Sequence, residues 1–234
     1  MKETPIIFNA DMVRAILDGK KTQTRRIFKQ AVGSSLSVDY EYPWATLSWL
    51  YGDGPGHEVY ERTLKMQCPY GKIGDQLWVR EAFSDLARMR ERFASAIGRS
   101  VETITTSFEG DIAYRASLGS RADYLKWTPS IHMPRWASRI TLEIIDIRVE
   151  RLQDISAAGA KAEGLAEISK DGKLFKFGLP DMDGLPGGCD IGWQWSEWEK
   201  NPVMAYKKLW ASIYGSESWN NNPWVWVIEF RRIK

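Results

Sequence analysis

The stretch NADMVRAILDGKKTQTRRI, residues 9–27, joins a short amphipathic helix to a dense group of hydrogen-bond donors. Asn9 suits the N-cap position because its side-chain oxygen can accept from a free helical amide. One helical face is apolar, as in a helix packed on a core, and it carries Met12, Val13, Ile16 and Leu17. Gly19 lies where helices commonly end in a left-handed residue. We predict a helix over 10–18, followed by a polar segment. The packing of a core does not require the cations of this segment.

Periodicity predicts the remaining elements. Alternating apolar residues indicate half-buried strands near 22–27, 75–82, 138–150 and 224–231. Caps and apolar stripes predict further helices over 84–98, 156–163 and 203–214. In the strand over 138–150 the alternation slips by one residue at Ile144-Ile145. A β-bulge there would keep both halves of the strand facing one core and would bend the sheet.

Four motifs resemble the signature regions of one family. They are GKKTQTRR (19–26), GDQLWVRE (74–81), ISAAGAKAEG (155–164) and WVIEF (226–230). On these motifs, and on their order, the chain is similar to ASCH proteins, which are PUA-like β-barrels linked to RNA and modified nucleosides. The resemblance implies an α+β fold, a PUA-like mixed β-barrel with flanking helices. We expect one domain over 1–234, with long irregular insertions at about 28–71, 84–130 and 166–200.

Composition favours an ordinary globular protein, since 44% of the 234 residues are hydrophobic and 26% are charged. Cys68 and Cys189 form no metal-type pair and are expected to be ordinary thiols. His57 and His132 lack spaced ligand partners, so we expect neither a metal site nor a cofactor. The N-terminus lacks the apolar run of a signal peptide, and no stretch reaches the ~20 apolar residues of a membrane span. We therefore expect a cytoplasmic protein that does not enter a membrane.

Charge is distributed unevenly although the net charge is only +2. Residues 1–30 hold seven cations against three anions, whereas residues 165–200 hold four cations against seven anions. A local basic surface can attract a phosphate backbone, although a solvated polar face would have the same composition. The chain also has 12 tryptophans, most of which we expect in the core. A few of them could stack on bases.

Three residues are candidates for catalysis. Neighbouring cations should lower the pKa of Lys21, so it could act as a base toward the hydroxyl of Thr24. In a regular strand positions 21 and 24 face opposite sides, so a surface lysine and an ordinary strand threonine are the alternative. Glu163 ends a predicted helix, where the macrodipole disfavours a carboxylate. This misplaced carboxyl could be a proton donor or an exposed residue at a frayed helix end.

The resemblance also implies a reaction. Some ASCH proteins remove the acetyl group from N4-acetylcytidine, using a lysine base, a threonine nucleophile and a glutamate proton donor. The matching motif positions here are Lys21, Thr24 and Glu163. Those enzymes are compact, whereas this chain carries long insertions. In this respect it is more similar to prophage-encoded ASCH proteins. The expected function is hydrolysis of an acylated nucleoside, with a non-catalytic module that binds RNA or a modified base as the alternative and a ribonuclease third.

Other residues are predicted to bind RNA or a modified nucleoside through charge, a planar guanidinium or stacking. They are Lys20, Arg25, Arg26, Trp78, Arg80, Glu81, Arg135 and Trp136. For Glu81 and its neighbours, a cross-strand ion pair is the alternative. The polar face of the helix over 84–98 includes Arg88, Arg90, Glu91 and Arg92. This face is either simply solvated or an extension of a basic groove.

Overall fold

The computed structural model describes residues 1–29, 36–51, 60–98, 111–118, 125–181, 183–187 and 192–234. Within these ranges the chain forms twelve strands and six helices, an α+β fold. The strands are β1 (Glu3–Ile7), β2 (Gln23–Ile27), β3 (Ser37–Glu41), β4 (Trp44–Tyr51), β5 (Tyr60–Gln67), β6 (Gln76–Arg80), β7 (Phe83–Asp85), β8 (Ile112–Tyr114), β9 (Thr141–Arg151), β10 (Ala166–Ser169), β11 (Phe175–Gly178) and β12 (Trp224–Arg232). The helices are α1 (Ala10–Leu17), α2 (Leu86–Ile97), α3 (Arg115–Leu118), α4 (Ala157–Ala162), α5 (Pro202–Tyr214) and α6 (Ser216–Asn220).

The central sheet has five strands in the order β1-β6-β9-β12-β2. β1 and β6 are parallel, and the other three pairings are antiparallel. β12 lies between β9 and β2, so the strands predicted near 138–150 and 224–231 belong to one sheet. The helices predicted over 10–18, 156–163 and 203–214 are α1, α4 and α5 to within one or two residues.

The predicted β-bulge is present in β9. Glu229 of β12 pairs with Asp146, whereas the next residue, Phe230, pairs with Ile144. Ile145 is therefore the extra residue, and it is 45% exposed while Ile144 is 0% exposed. The bulge lets both halves of β9 direct apolar side chains to the same side of the sheet, because it restores the phase of the alternation.

Each face of the sheet covers its own core. Trp226, Ile228 and Phe230 of β12 pack with α1 and β6 in the larger core. Val225 and Val227 pack against α4 and α5 in a second core. Both faces of β12 are therefore covered by a core, and neither face is solvated. This explains why β12 is apolar almost throughout.

The two edge strands of the central sheet approach each other. Nη2 of Arg26 in β2 donates to the carbonyl of Ile7 at the end of β1, at 2.6 Å. Its guanidinium lies 5.1 Å from the centre of the Phe8 ring. The sheet is therefore curved enough for one side chain to bridge its two edge strands. The backbone pairings between the described strands do not close a barrel.

Two insertions predicted to be irregular contain regular structure in their described parts. Between 28 and 71, β3, β4 and β5 form a three-stranded antiparallel sheet. Between 166 and 200, β10 and β11 form a hairpin. In the segment over 84–130, the helix predicted over 84–98 is present as α2, and the side chain of Asp85 caps it. No helix among the described residues is long and apolar enough to cross a membrane.

Candidate functional site

The end of α1 turns the chain so that Lys21 enters the interior. The side chain of Asn9 caps α1 by accepting from the Met12 amide at 2.8 Å. Gly19 adopts φ +71, a left-handed conformation that favours glycine. The amides of Lys20 and Lys21 then both donate to the carbonyl of Ala15. This tight turn directs Lys21 toward the end of α4, where it forms an isolated β-bridge with Glu163.

Lys21 and Glu163 form a buried ion pair. Nζ of Lys21 donates to Oε2 of Glu163 at 2.7 Å and to the backbone carbonyl of Glu163 at 2.9 Å. The two side chains are 0% and 3% exposed. Glu163 is the C-cap residue of α4, where the helix dipole alone would disfavour its charge. Lys21 offsets this effect, because its ammonium group neutralises the carboxylate. It also donates to a carbonyl that the end of the helix leaves free.

Arg25 extends the pair into a network of charges. Its Nη1 donates to Oε1 of Glu163 at 2.9 Å, and its Nε donates to Oε1 of Glu150 at 2.9 Å. The Arg25 side chain is 1% exposed. Its guanidinium also lies 5.8 Å from the centre of the Tyr206 ring, on α5. A guanidinium held by two carboxylates is not free for a phosphate, so the geometry gives Arg25 a role inside the site instead of the predicted external contact.

The network continues along β9 through Arg148. This residue donates to Glu229 of β12 and, at 3.1 Å, to Oε1 of Gln23 of β2. It also donates to Oε2 of Glu150 at 3.3 Å. Sequence reasoning did not select these residues, although Asp146, Arg148 and Glu150 alternate on one face of the longest strand. That alternation is the signal, because charged side chains on one face of a central strand lie beside those of the neighbouring strands.

Burial shifts the pKa values of two side chains at the site, Lys21 and Tyr206. Desolvation lowers the pKa of Lys21 below its ordinary value, and Arg25 and Arg26 lower it further, while Glu163 opposes the shift. The predicted lowering is therefore present, but burial is its main cause instead of like charge. Burial also raises the pKa of the Tyr206 hydroxyl well above its ordinary value. The site thus combines a lysine that loses its proton more easily than in water with a carboxylate in direct contact.

Thr24 lies on the other face of β2 from Arg25. It pairs with Ile228 of β12, whereas Arg25 pairs with Val227, and cross-strand partners share a face. Thr24 is 1% exposed. Within the part of the chain that the structure describes, no hydrogen bond joins its hydroxyl to Lys21 or Glu163. The structure therefore brings together two of the three predicted catalytic residues and leaves Thr24 outside their hydrogen-bonded group.

A surface cavity of about 290 Å³ is lined in part by the chain neighbours of the ion pair, Lys20 and Gly164. Lys20, Ala15 and Gly164 contribute to its lining. Gly164 has φ +104, and a Cβ atom added to it would lie 2.8 Å from Cβ of Ala15 and 3.1 Å from Cβ of Lys21. Gly164 therefore packs so closely against Ala15 and Lys21 that this position has no room for a side chain.

The cations of this cavity have acidic partners. Arg14 pairs with Asp11, and Nζ of Lys20 lies 3.6 Å from a carboxylate oxygen of Asp18. Asp181 also lines the cavity. A cavity with charges of both signs suits a neutral polar ligand better than a polyanion. Lys20 is thus exposed as predicted, but it already has a partner.

The second predicted group meets around Trp78 on β6. The guanidinium carbons of Arg80 and Arg135 lie 5.4 and 5.9 Å from the centre of its ring. Arg80 donates to the carbonyl of Ile131. Arg135 forms two hydrogen bonds of 2.9 Å with the carboxylate of Glu3. The ring and its two cations form a stack, but carboxylate and carbonyl groups already bind both guanidinium groups.

Glu81 forms the ion pair that sequence reasoning kept as its alternative. Its carboxylate accepts from Nε and Nη2 of Arg139 at 2.9 and 3.0 Å. Glu81 is 2% exposed. Burial raises its pKa, and the hydrogen bond from Arg139 opposes that shift. Trp136 differs from the rest of the group because it is 68% exposed.

Among the described residues, no group of three or more histidine, cysteine, aspartate or glutamate side chains is placed to hold a metal ion. Cys68 is a buried free thiol, and burial raises its pKa to about 11. The predicted thiol Cys189 and the isolated His57 lie outside the described residues. Comparisons with family models, curated proteins and solved structures give no match for this chain.

Proposed function

We propose that the chain is an ASCH-type protein with a PUA-like fold, and that it hydrolyses the acyl group of a modified nucleoside such as N4-acetylcytidine. The observation that carries this proposal is the contact between Lys21 and Glu163, 2.7 Å between Nζ and Oε2. The family motifs point to these two residues from opposite ends of the chain. Their contact supports a shared chemical role, because buried ion pairs contribute little net stability compared with well-packed apolar residues.

The proposed reaction uses the pair for both proton transfers. The hydroxyl oxygen of Thr24 attacks the acyl carbon, and neutral Lys21 takes the hydroxyl proton. Glu163, in its acid form, donates a proton to the departing N4 amine as the carbon–nitrogen bond breaks. Water then adds its hydroxyl group to the acyl carbon and its second hydrogen to the oxygen of Thr24, so the ester bond breaks and acetate leaves with its acid proton released to solvent. Proton transfer from Lys21 to Glu163 resets the pair. The lowered pKa of Lys21 supports the first step, because a general base must be unprotonated to act.

The cavity beside Gly164 supports the proposed substrate class. Its volume of about 290 Å³ is near the lower limit of ~300 Å³ for small-molecule sites, which suits a nucleoside better than a polymer. Its cations are partnered by aspartates, so a neutral base with exocyclic donors and acceptors is the better fit. The proposal is supported by Lys20 and Gly164, which line this cavity and are the chain neighbours of Lys21 and Glu163.

A second candidate function is binding without catalysis. It is favoured by one observation, that the Thr24 hydroxyl is buried and has no hydrogen bond to Lys21 or Glu163 among the described residues. In this case the ion pair would be structural and the cavity would recognise a modified base. Binding requires the cavity but not the hydroxyl of Thr24.

The experiment is product analysis with N4-acetylcytidine. Wild-type protein is expected to release cytidine and acetate in equal amounts, while N4-methylcytidine, which has no acyl group, is expected to remain unchanged. Calorimetric binding of both nucleosides is measured in parallel. Binding of N4-acetylcytidine without release of acetate would replace the hydrolase with the binding module. If acetate is released and Thr24→Ala remains as fast, water is the nucleophile and the hydrolase proposal stands without Thr24.

A further inference from the structure

A second cleft, of about 420 Å³, lies between α2 and the segment over 126–136. We call it the α2 cleft and define it by Arg88, Arg92, Lys126, His132 and Trp136. Its two walls are held together by backbone hydrogen bonds, since Thr128 and Phe83 exchange bonds of 2.8 and 3.2 Å. Met133 anchors the second wall and is 1% exposed. The cleft is therefore a built feature of the fold.

The cations of the α2 cleft are exposed and available. Within the described ranges Arg88, Arg92 and Lys126 form no ion pair, in contrast to Arg14 and Lys20 of the first cavity. Among the lining residues that the structure describes, the one acid is Asp85, and its carboxylate caps α2 by accepting from the Arg88 amide at 2.9 Å. Arg88 and Arg92 are four positions apart in α2, so both project from one face of the helix. The described lining thus holds three cations against one carboxylate and has a net positive charge.

An aromatic surface lies inside this positive field. Trp136 is 68% exposed and Met89 is 37% exposed, and both line the cleft. This exposure contrasts with that of four other tryptophans, which are buried: Trp198, Trp210, Trp219 and Trp226. Its neighbour Arg135 is fixed by the two hydrogen bonds to Glu3. The turn that carries the ring is held by backbone hydrogen bonds, from the Ala137 amide to the Pro134 carbonyl at 3.2 Å and from the Ser138 amide to the Arg135 carbonyl at 3.1 Å.

We infer that the α2 cleft binds single-stranded nucleic acid, with a base stacked on Trp136 and phosphates on Arg88, Arg92 and Lys126. Free cations beside an exposed ring are the combination that binds single strands, because the cations track the backbone and the ring takes an unstacked base. A duplex keeps its bases stacked and offers none to the ring. An acidic peptide would satisfy the cations but would leave the tryptophan without a partner.

This inference does not depend on hydrolysis at Lys21, because the two cavities share no lining residue. It also revises where the polymer is expected to bind. Sequence reasoning gave the phosphate contacts to Lys20, Arg25 and Arg26, but acids or carbonyls hold those three side chains. Trp136, which was predicted to bind RNA, lies in the α2 cleft, and Arg88 and Arg92 belong to the helix face for which an extension of a basic groove was one of two alternatives.

The test measures binding of the full chain to a fluorescently labelled RNA single strand of about 10 nucleotides, within the usual range of site sizes, over a series of salt concentrations. The charge variant is Arg88→Gln/Arg92→Gln. Its matched control is Lys65→Gln/Lys200→Gln, which removes the same charge at exposed positions elsewhere. Trp136→Ala is compared with Trp44→Ala, a change at another exposed tryptophan that is 45% accessible.

We expect wild-type binding to weaken steeply with salt. The charge variant should make the slope of log K against log salt shallower by roughly 1.4, which is about 0.7 for each lost phosphate contact. Trp136→Ala should weaken binding about 5- to 150-fold, as the loss of one stacked base implies. Both controls should bind as wild type does.

Four results would overturn the inference. They are no binding of the single strand at about 50 mM salt, equal slopes in the charge variant and its control, equal affinity of Trp136→Ala and Trp44→Ala, or preference for a duplex or an acidic peptide over the single strand. None of these results depends on whether acetate is released from N4-acetylcytidine, so the two proposals fail separately.

Discussion

Nζ of Lys21 and Oε2 of Glu163 lie 2.7 Å apart although the two residues are separated by 142 positions in the chain. This contact joins the turn after α1 to the end of α4 inside the protein. Arg25 holds the other carboxylate oxygen of Glu163. The same carboxylate is therefore important for stability and, under the proposed function, for chemistry.

Removing Glu163 should destabilise the fold strongly. Glu163→Ala leaves the buried Lys21 ammonium without its partner, and breaking a buried pair in this way costs about 3–5 kcal/mol. The matched control is Glu167→Ala, whose partner Lys161 is 43% exposed, and a surface pair is worth at most ~1 kcal/mol. Urea unfolding measures both free energies. Equal losses in the two variants would mean that the buried pair contributes no more than a surface pair.

Stability should rise with pH in the alkaline range through Lys21. Its folded pKa is lowered by burial, so between that pKa and the unfolded value of about 10.4 the unfolded chain binds more protons. Stability then increases with pH. The measured quantity is the difference in unfolding free energy between wild type and Lys21→Met. The variant keeps Tyr206, whose raised pKa acts in the opposite direction. A difference that falls as pH rises toward 10.4 would contradict the assignment.

Gly164 should not tolerate a side chain. At φ +104 an alanine is strained, and its Cβ would lie 2.8 Å from Cβ of Ala15. The control is Gly172→Ala, at φ +71 with no atom within 4 Å, which should cost only the ~1–2 kcal/mol of a left-handed backbone. Gly164→Ala should cost more and should also slow any turnover, because the clash displaces Lys21. Thermal unfolding of both variants measures the comparison, and a smaller loss at 164 than at 172 would refute it.

The bulge in β9 predicts unequal effects at two adjacent isoleucines. Ile144→Ala removes a side chain that is 0% exposed and should cost about 2–5 kcal/mol. Ile145→Ala, at a position 45% exposed, should cost less than about 1 kcal/mol, as surface substitutions usually do. Urea unfolding measures both. Losses that are equal, or larger at 145, would contradict the register.

The parts of the fold that the sequence predicted are those with a readable apolar period. α1, α4, α5 and the strands β9 and β12 each bury one face or both, so their alternation specifies them. The slip at Ile144-Ile145 was readable for the same reason. β5 was missed because its residues are almost all exposed, and a strand without a buried face has no hydrophobic period to detect.

The site was predictable only where a motif named its residues. Lys21 and Glu163 came from the family resemblance, and no local pattern indicated that they touch. The partners of Arg25 are non-local, since Glu150 and Glu163 lie on a different strand and at a helix end. Arg25 therefore looked like a free surface cation in the sequence. Cross-strand register between β2, β12 and β9 determines these contacts, and register follows from the assembled sheet.

The most direct test of the proposed function is the initial rate of cytidine formation from N4-acetylcytidine by wild type, Lys21→Met and Lys161→Met. Lys161 is 43% exposed and serves as the matched control. We expect wild type and Lys161→Met to be equally active and Lys21→Met to be inactive while still folded by near-ultraviolet circular dichroism. Wild-type activity retained in folded Lys21→Met, or no cytidine from wild type, would contradict a catalytic role for the buried pair.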